Sequence, residues 1–329
     1  HGESLLNPAA AEIIAFASER MSASVTTNGL SLNGDNLRLI DGLEWIRFSV
    51  NGGAREDYAA VHGAAPGMFD RVMANIAAVR IEHARLATVE RRRELLENEL
   101  AQAADIQMGC IPKTAPHIPG FELAGTTLPC RTVGGDYFDY VPRSDGKLVF
   151  LIADVAGKGM PAALLVMNLQ ARIQALAETA DDLGRTIGRL NWMIKAVCPA
   201  NRFITCFLAL LDPATGRMQW ANAGHEPALI LRRRGAVERL GAGGPPLGVF
   251  EDATHRTGDC TIEPGDRLLL VTDGVTEAMG GDGEDFGARR VEELLIEHFN
   301  RGAGELVQAL SGAVDRWTGA EAPHDDVTV

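Results

Sequence analysis

Leu148-Val149-Phe150-Leu151-Ile152-Ala153-Asp154-Val155-Ala156-Gly157-Lys158-Gly159 carries an unbroken apolar run into an aspartate and then into a lysine between two glycines. Such a run, bounded by turn residues, reads as a buried strand that hands over to a helix from about Met160. The arrangement returns in Leu268-Leu269-Leu270-Val271-Thr272-Asp273-Gly274 and in His324-Asp325-Asp326-Val327-Thr328-Val329. A fourth segment, Gly134-Gly135-Asp136-Tyr137-Phe138-Asp139, places glycines before the acid instead. A carboxylate at the edge of a core must be hydrogen-bonded or bound to a cation, because burying it unpaired is costly. Hard divalent ions such as Mg²⁺ and Mn²⁺ take oxygen ligands, so aspartates from separate strands suit them. Two such ions about 3.5–4 Å apart can activate a water and clamp a phosphoryl oxygen. Asp-Gly alone is also an ordinary turn signal, so the set carries the reading and no single member does.

Outward from these segments, short strand patterns are divided by Gly, Pro and Asp: 121–127, 147–153, 203–211, 217–221, 228–232 and 267–271. Helical patterns fall at 162–180, 183–197, 289–300 and 303–317. Strands and helices come in batches, which favours an α+β layered architecture with largely antiparallel sheets over a doubly wound parallel fold. Between about Met68 and Met108 a polar helix runs without Pro or Gly, and Val72, Val79, Leu86, Val89, Leu96, Leu100 and Ala103 keep near a heptad stripe that Glu82 and Arg93 interrupt. About 40 residues would span roughly 60 Å at the helical rise. That suits a connector, read either as a dimeric coiled coil or as a single solvated helix laced by charge pairs. Before it, an apolar helical stretch (Ala9–Met21) and strand-like pieces at 37–40 and 43–50 make a small α/β unit. The expected division is 1–67, 68–108 and 109–329.

The composition excludes several classes. With 46% hydrophobic and 23% charged residues in 329, the chain has the balance of a globular protein. A formal net charge of −13 would repel a nucleic-acid backbone. Five cysteines, Cys110, Cys130, Cys198, Cys206 and Cys260, form no C-x-x-C pair, which argues against zinc or a disulfide framework. There is no run of 18 apolar residues, and His1-Gly2-Glu3-Ser4 opens neither a basic nor an apolar leader. The expectation is a cytoplasmic protein with no membrane partner.

Seven motifs occur in order: Val133-Gly134-Gly135-Asp136-Tyr137-Phe138-Asp139, Asp154 through Ala163, Asn222-Ala223-Gly224-His225 with Pro227, Pro246-Leu247-Gly248, Pro264-Gly265-Asp266 leading to Thr272-Asp273-Gly274-Val275-Thr276-Glu277, Phe286-Gly287, and Asp325-Asp326-Val327-Thr328. Over about Ile106 to Val329 the series resembles the bacterial PPM-type phosphatases, the SpoIIE and RsbU group that act on anti-anti-sigma factors. The resemblance implies a four-layer αββα sandwich with two Mn²⁺ or Mg²⁺ ions in a cleft between the sheets. It implies that Asp154 bridges the ions, that the Val155 carbonyl helps the second ion, that Asp136 binds that ion or one of its waters, and that Asp273 and Asp325 complete the first. It further implies hydrolysis of phosphoserine or phosphothreonine by direct attack of an activated water, without a phosphoenzyme. The substrate would be a phosphorylated STAS-type anti-anti-sigma factor, and the enzyme a homodimer through the linker helix. The alternative is a degenerate, non-catalytic phosphoprotein-binding module.

Some positions stay open. Ala156 stands where eukaryotic relatives have a histidine, so the leaving-group acid is unassigned. His225 is either that acid or part of a turn. Gly157-Lys158-Gly159 either holds an anion with backbone N–H groups and Lys158 or simply starts a helix. Asp139 and Asp326 read as supporting acids. Finally, 42–48 followed by 69–86 is similar to the closing strand and C-terminal helix of GAF-type sensor domains, although fewer than 90 residues stand where a domain of about 150 is usual.

Overall fold

The computed structural model describes residues 24–27, 45–48, 67–241, 243–281, 283–319 and 324–329. The chain divides into two compact units, His1–Glu97 and Asn98–Val329. In the first, strands β1 (Ser24–Thr27) and β2 (Trp45–Phe48) pair in parallel, and helix α1 (Gly67–Cys110) begins there and ends in the second unit. The helix expected at Ala9–Met21 and the strand at 37–40 lie outside the described residues. Along α1 Val79 is buried, Leu86 and Leu100 are half-buried, and Val89 and Leu96 are more than half exposed. Within one chain the heptad stripe is therefore left largely open. Among the described residues no helix is long and apolar enough to cross a membrane.

The second unit is built on a five-stranded antiparallel sheet ordered β10-β7-β6-β5-β4, from β4 (Asp136–Pro142), β5 (Leu148–Val155), β6 (Ile204–Leu211), β7 (Arg217–Ala223) and β10 (Thr257–Thr261). β5 lies between β4 and β6 and is buried on both faces, which explains its unbroken apolar sequence. Helices α2 (Met160–Leu176) and α3 (Leu183–Lys195) contribute Leu169, Ile173, Ile187 and Ile194 to the core formed with this sheet. A second sheet contains β8 (Ala228–Leu231), β9 (Val237–Leu240) and β11 (Arg267–Leu269), with the short pair β3 (Thr127–Leu128) and β12 (Val327–Thr328) joined to it by Thr272 N–H donating to the Thr328 carbonyl.

Strand alternation shows how the layers stack. Ala228 and Ile230 of β8 belong to the core shared with the first sheet, whereas Leu229 and Leu231 belong to a second core. That second core holds Val291 and Leu295 of α5 (Gly287–Glu297) and Leu306, Leu310 and Val314 of α6 (Ala303–Thr318). The order is helices, sheet, sheet, helices, as expected. A cavity of about 460 Å³ remains in the inter-sheet space between β11 and residues 120–124, lined by Phe121, Phe138, Phe150 and Leu268.

The strand expected over 121–127 is corrected: only Thr127–Leu128 is strand, with one bridge between Ile118 and Phe121. Its residues 122–126 have no ladder partner among the described residues except Thr126, which exchanges hydrogen bonds with Val329. The other expected elements among the described residues fall within a few residues of their expected positions, whereas β1, β9 and β10 had no counterpart in the expectation.

One buried polar side chain ties α3 to the site's surroundings. Asn191 is fully buried; its Oδ1 accepts from Gly248 N–H (2.9 Å) and its Nδ2 donates to the Phe250 carbonyl (2.9 Å). Next to that loop, Leu247 and Ile204 exchange backbone hydrogen bonds. Asn191→Leu keeps the volume but leaves those backbone groups unpaired, at a cost of about 2–3 kcal/mol. Thermal denaturation should show a melting temperature lower by roughly 5–10 °C; an unchanged value would mean the loop finds other partners.

Candidate metal centre

β4 and β5 place Asp136 directly opposite Asp154. Even-numbered residues of both strands, Phe138 and Tyr140, Phe150 and Ile152, line the inter-sheet cavity, so the two aspartates rise on that same face at its far end. Asp139, of opposite parity, points the other way: it accepts from Tyr137 Oη (2.5 Å), Gln174 Nε2 of α2 (2.7 Å) and Tyr140 N–H (2.8 Å). It is a satisfied structural acid.

Like charges directly opposite on neighbouring strands repel. The second sheet supplies the compensation: Thr272 Oγ1 (2.7 Å) and Thr328 Oγ1 (2.6 Å) both donate to Asp136 Oδ2. Even so, burial and the nearby Asp154 charge hold the Asp136 carboxyl well above the usual range. Burial, then the charges of Asp273, Asp325 and Asp326, push Asp154 up to about 7. Asp273 is raised by burial and by Asp325. Asp136 thus faces Asp154 across the ladder, and the charges of Asp273 and Asp325 act on Asp154.

The turn that carries Asp273 reaches the others because Gly274 has no side chain; a Cβ there would collide with the Asp326 carbonyl. Asp273 opens the single-turn helix α4 (Asp273–Thr276). Val155 is buried, its N–H donates to the Gly135 carbonyl, and its own carbonyl passes so near Gly135 that a Cβ would sit 3.1 Å away. Asp325 pairs with Lys158 Nζ at 2.9 Å, and Lys158 also donates to the His324 carbonyl.

Asp326 has a different task. Its two oxygens accept from Cys130 N–H (2.7 Å) and Gly135 N–H, which fixes the loop entering β4. Ligand atoms of Cys130, Asp325 and Asp326 lie within 4.8 Å of one another. That trio is a poor cation site, because Asp326 is already committed and burial pushes the Cys130 thiol up to about 11, leaving it protonated. Asp136, Asp154, Asp273, Asp325 and the Val155 carbonyl are oxygen donors of the kind a hard divalent cation takes, while among the described residues the trio Cys130, Asp325 and Asp326 alone brings three ligand atoms within 4.8 Å of one another.

His225 lies behind this set. Nδ1 hydrogen-bonds Thr205 Oγ1 at 2.8 Å, burial lowers its pKa to about 4, and Nε2 has no partner of normal geometry although the Val271 carbonyl is near enough to act on it. His225 N–H donates to Asn222 Oδ1 (2.8 Å) and Asn222 Nδ2 to the His225 carbonyl (3.1 Å). These bonds are those of the turn reading. Two further residues were missed by the sequence. Thr272 fixes Asp136, and Gln107 near the end of α1 clamps Gly134 through Nε2 to the carbonyl (2.7 Å) and Oε1 from the N–H (3.1 Å). Gln107 is buried on an otherwise polar helix, and no motif marks it.

Comparison with known proteins identifies the family. A family model described as Stage II sporulation protein E (SpoIIE) matches residues 144–329, more than half of the chain. The chain belongs to the SpoIIE family of PPM-type phosphatases. It is 28% identical over 250 residues to phosphoserine phosphatase RsbU of Bacillus subtilis (strain 168), covering 75% of this chain and 72% of that protein. It is 27% identical over 261 residues to protein IcfG of Synechocystis sp. (strain PCC 6803), covering 70% of this chain and only 40% of that one. The SiaA-PP2C domain of Pseudomonas aeruginosa superposes with a TM-score of 0.64 at 23% identity, over 72% of this chain and 96% of that domain, and so shares the fold. The PP2C domain of SpoIIE from Bacillus subtilis gives 0.54 at 20% identity, over 62% and 59% of the two chains.

The crowding has a thermodynamic consequence. A carboxyl whose folded pKa of about 7 exceeds its unfolded value of about 3.9 binds its proton more tightly when folded, so its contribution to stability is lost as pH rises between those values. His225, lowered to about 4, acts in the opposite sense between about 4 and 6.5, so a variant that isolates Asp154 is needed. In chelator, Asp154→Asn should melt above the parent chain at pH 8, by several degrees, and the gap should shrink at pH 5. A variant that melts lower at pH 8 would contradict the crowding.

Proposed function

We propose that this chain is a divalent-cation-dependent serine/threonine protein phosphatase that dephosphorylates a regulatory protein. The carrying observation is that Asp136 faces Asp154 across the β4–β5 ladder, with the charges of Asp273 and Asp325 near enough to raise the Asp154 carboxyl. Two Mn²⁺ or Mg²⁺ ions held there supply charge neutralisation and a water made nucleophilic near neutral pH. Asp154 would serve both ions, Asp273 and Asp325 would hold one, and Asp136 with the Val155 carbonyl would serve the other. Thr272 and Thr328 hold Asp136 in one orientation for that task. Being buried and neutral, His225 is badly placed to give a proton to the departing serine or threonine oxygen. All four acidic positions are filled, which disfavours the alternative of a degenerate binding module.

RsbU's designation as a phosphoserine phosphatase supports the substrate chemistry. On that support the target is a phosphorylated STAS-type anti-anti-sigma factor in the cytoplasm. Residues 1–67 act as a GAF-like input unit, 68–108 as a coiled-coil dimer linker and 109–329 as the catalytic domain. The Gln107 clamp gives the linker a direct hold on the backbone beside Asp136. Coupling of this kind is typically about 1–3 kcal/mol.

Hydrolysis of a phosphoserine protein or an aryl phosphate should require Mn²⁺ or Mg²⁺ and stop in chelator; metal-independent turnover would sink the mechanism. Asp154→Asn should lower kcat by orders of magnitude with the fold intact, and Asp139→Asn far less per folded molecule. Equal losses would refute the assignment. Polar substitutions at Leu86, Leu96 and Leu100 should weaken dimerisation in light scattering and change activity with it; a micromolar monomer with unchanged kinetics would leave α1 a passive spacer.

A further inference from the structure

Lys158 is the remaining unassigned member of the Asp154–Gly159 motif. Its loop follows Val155 directly, and Gly157 and Gly159 on either side have left-handed φ of 93° and 75°, so the backbone turns sharply around it. The side chain crosses to the C-terminal strand, where Nζ meets Asp325 Oδ2 at 2.9 Å and donates to the His324 carbonyl. Both partners belong to the segment that carries a cation ligand. Nothing else cationic pairs with Asp325 among the described residues. Asp273 and Asp136 have no Lys or Arg salt bridge among them either, so Lys158 is where the cluster's excess negative charge is answered from within the chain.

We propose that Lys158 competes with a divalent cation for Asp325: the Lys158–Asp325 pair must part for that carboxylate to ligate an ion. This rests on the metal-site reading above and adds to it a residue that sets how tightly the ions bind. Two effects act in the same direction. The Asp325 carboxylate must give up the Lys158 pair before it ligates, and a positive charge a few ångströms from a dication repels it. The pair is partly exposed, with Lys158 at 31% and Asp325 at 42%, so solvent weakens both effects without removing them. The ammonium also staples the 324–325 segment to the loop after β5, which keeps the ligand near its place while no ion is bound.

The experiment is calorimetric titration of Mn²⁺ into the full chain, stripped of metal, at pH 7.5. Lys158→Gln should bind about tenfold more tightly than the parent, and Lys158→Arg, which keeps the charge, should stay near the parent value. In chelator Lys158→Gln should melt below the parent, and saturating Mn²⁺ should close that gap. Should Lys158→Gln fail to fold, Lys158→Met serves in its place, with Lys158→Arg as the charge control. Binding by the parent with Lys158→Gln unchanged or weaker would overturn the counter-ion role while leaving the metal site standing. No Mn²⁺ binding by the parent would overturn both.

Discussion

The structure turns on the repulsion between Asp136 and Asp154, which the register of two antiparallel strands sets face to face at the end of a buried core. Such a pair is unfavourable by itself, both from burial and from like charge. Much of the surrounding detail reads as a response to it. Thr272 and Thr328 donate into Asp136 from the second sheet, Asp326 pins the loop that enters β4, and Lys158 answers the charge of Asp325.

The two-sheet architecture makes this arrangement possible. One sheet alone offers carboxylates in a row; two sheets facing each other bring acids from β4 and β5 against those from the β11–α4 turn and the segment just before β12. The approach is close enough that Gly274 tolerates no Cβ beside the Asp326 carbonyl. Strand parity sorts the acids. Asp136 faces the second sheet and takes part in the site, whereas Asp139, three residues on, faces α2 and is consumed by Tyr137, Gln174 and a backbone N–H.

How much of this was legible in the sequence follows from where the information sits. Apolar strands ending in Asp were readable because β5 is buried on both faces and has no polar interruption before Asp154. β10, Thr-Gly-Asp-Cys-Thr, was not, since an edge strand paired only with β7 needs no apolar alternation and carries residues poor in strand propensity. The 121–127 segment has the composition of a strand, yet lacks ladder partners over most of its length. Asp325 and Asp326 are adjacent and chemically identical; only their partners, a lysine ammonium for one and two backbone N–H groups for the other, tell them apart. Gln107 and Lys158 act across about 27 and 167 positions of sequence, distances at which no local pattern reports a contact.

The central claim is that the aspartates are a cation site with Asp154 at its middle. Anomalous diffraction at the manganese edge, from crystals of the chain grown with Mn²⁺, tests it most directly. Two peaks about 3.5–4 Å apart, both touching Asp154, with Asp273 and Asp325 on one and Asp136 on the other, are the result this account requires. A peak held instead by Cys130 and Asp326, or none within reach of Asp154, would contradict it.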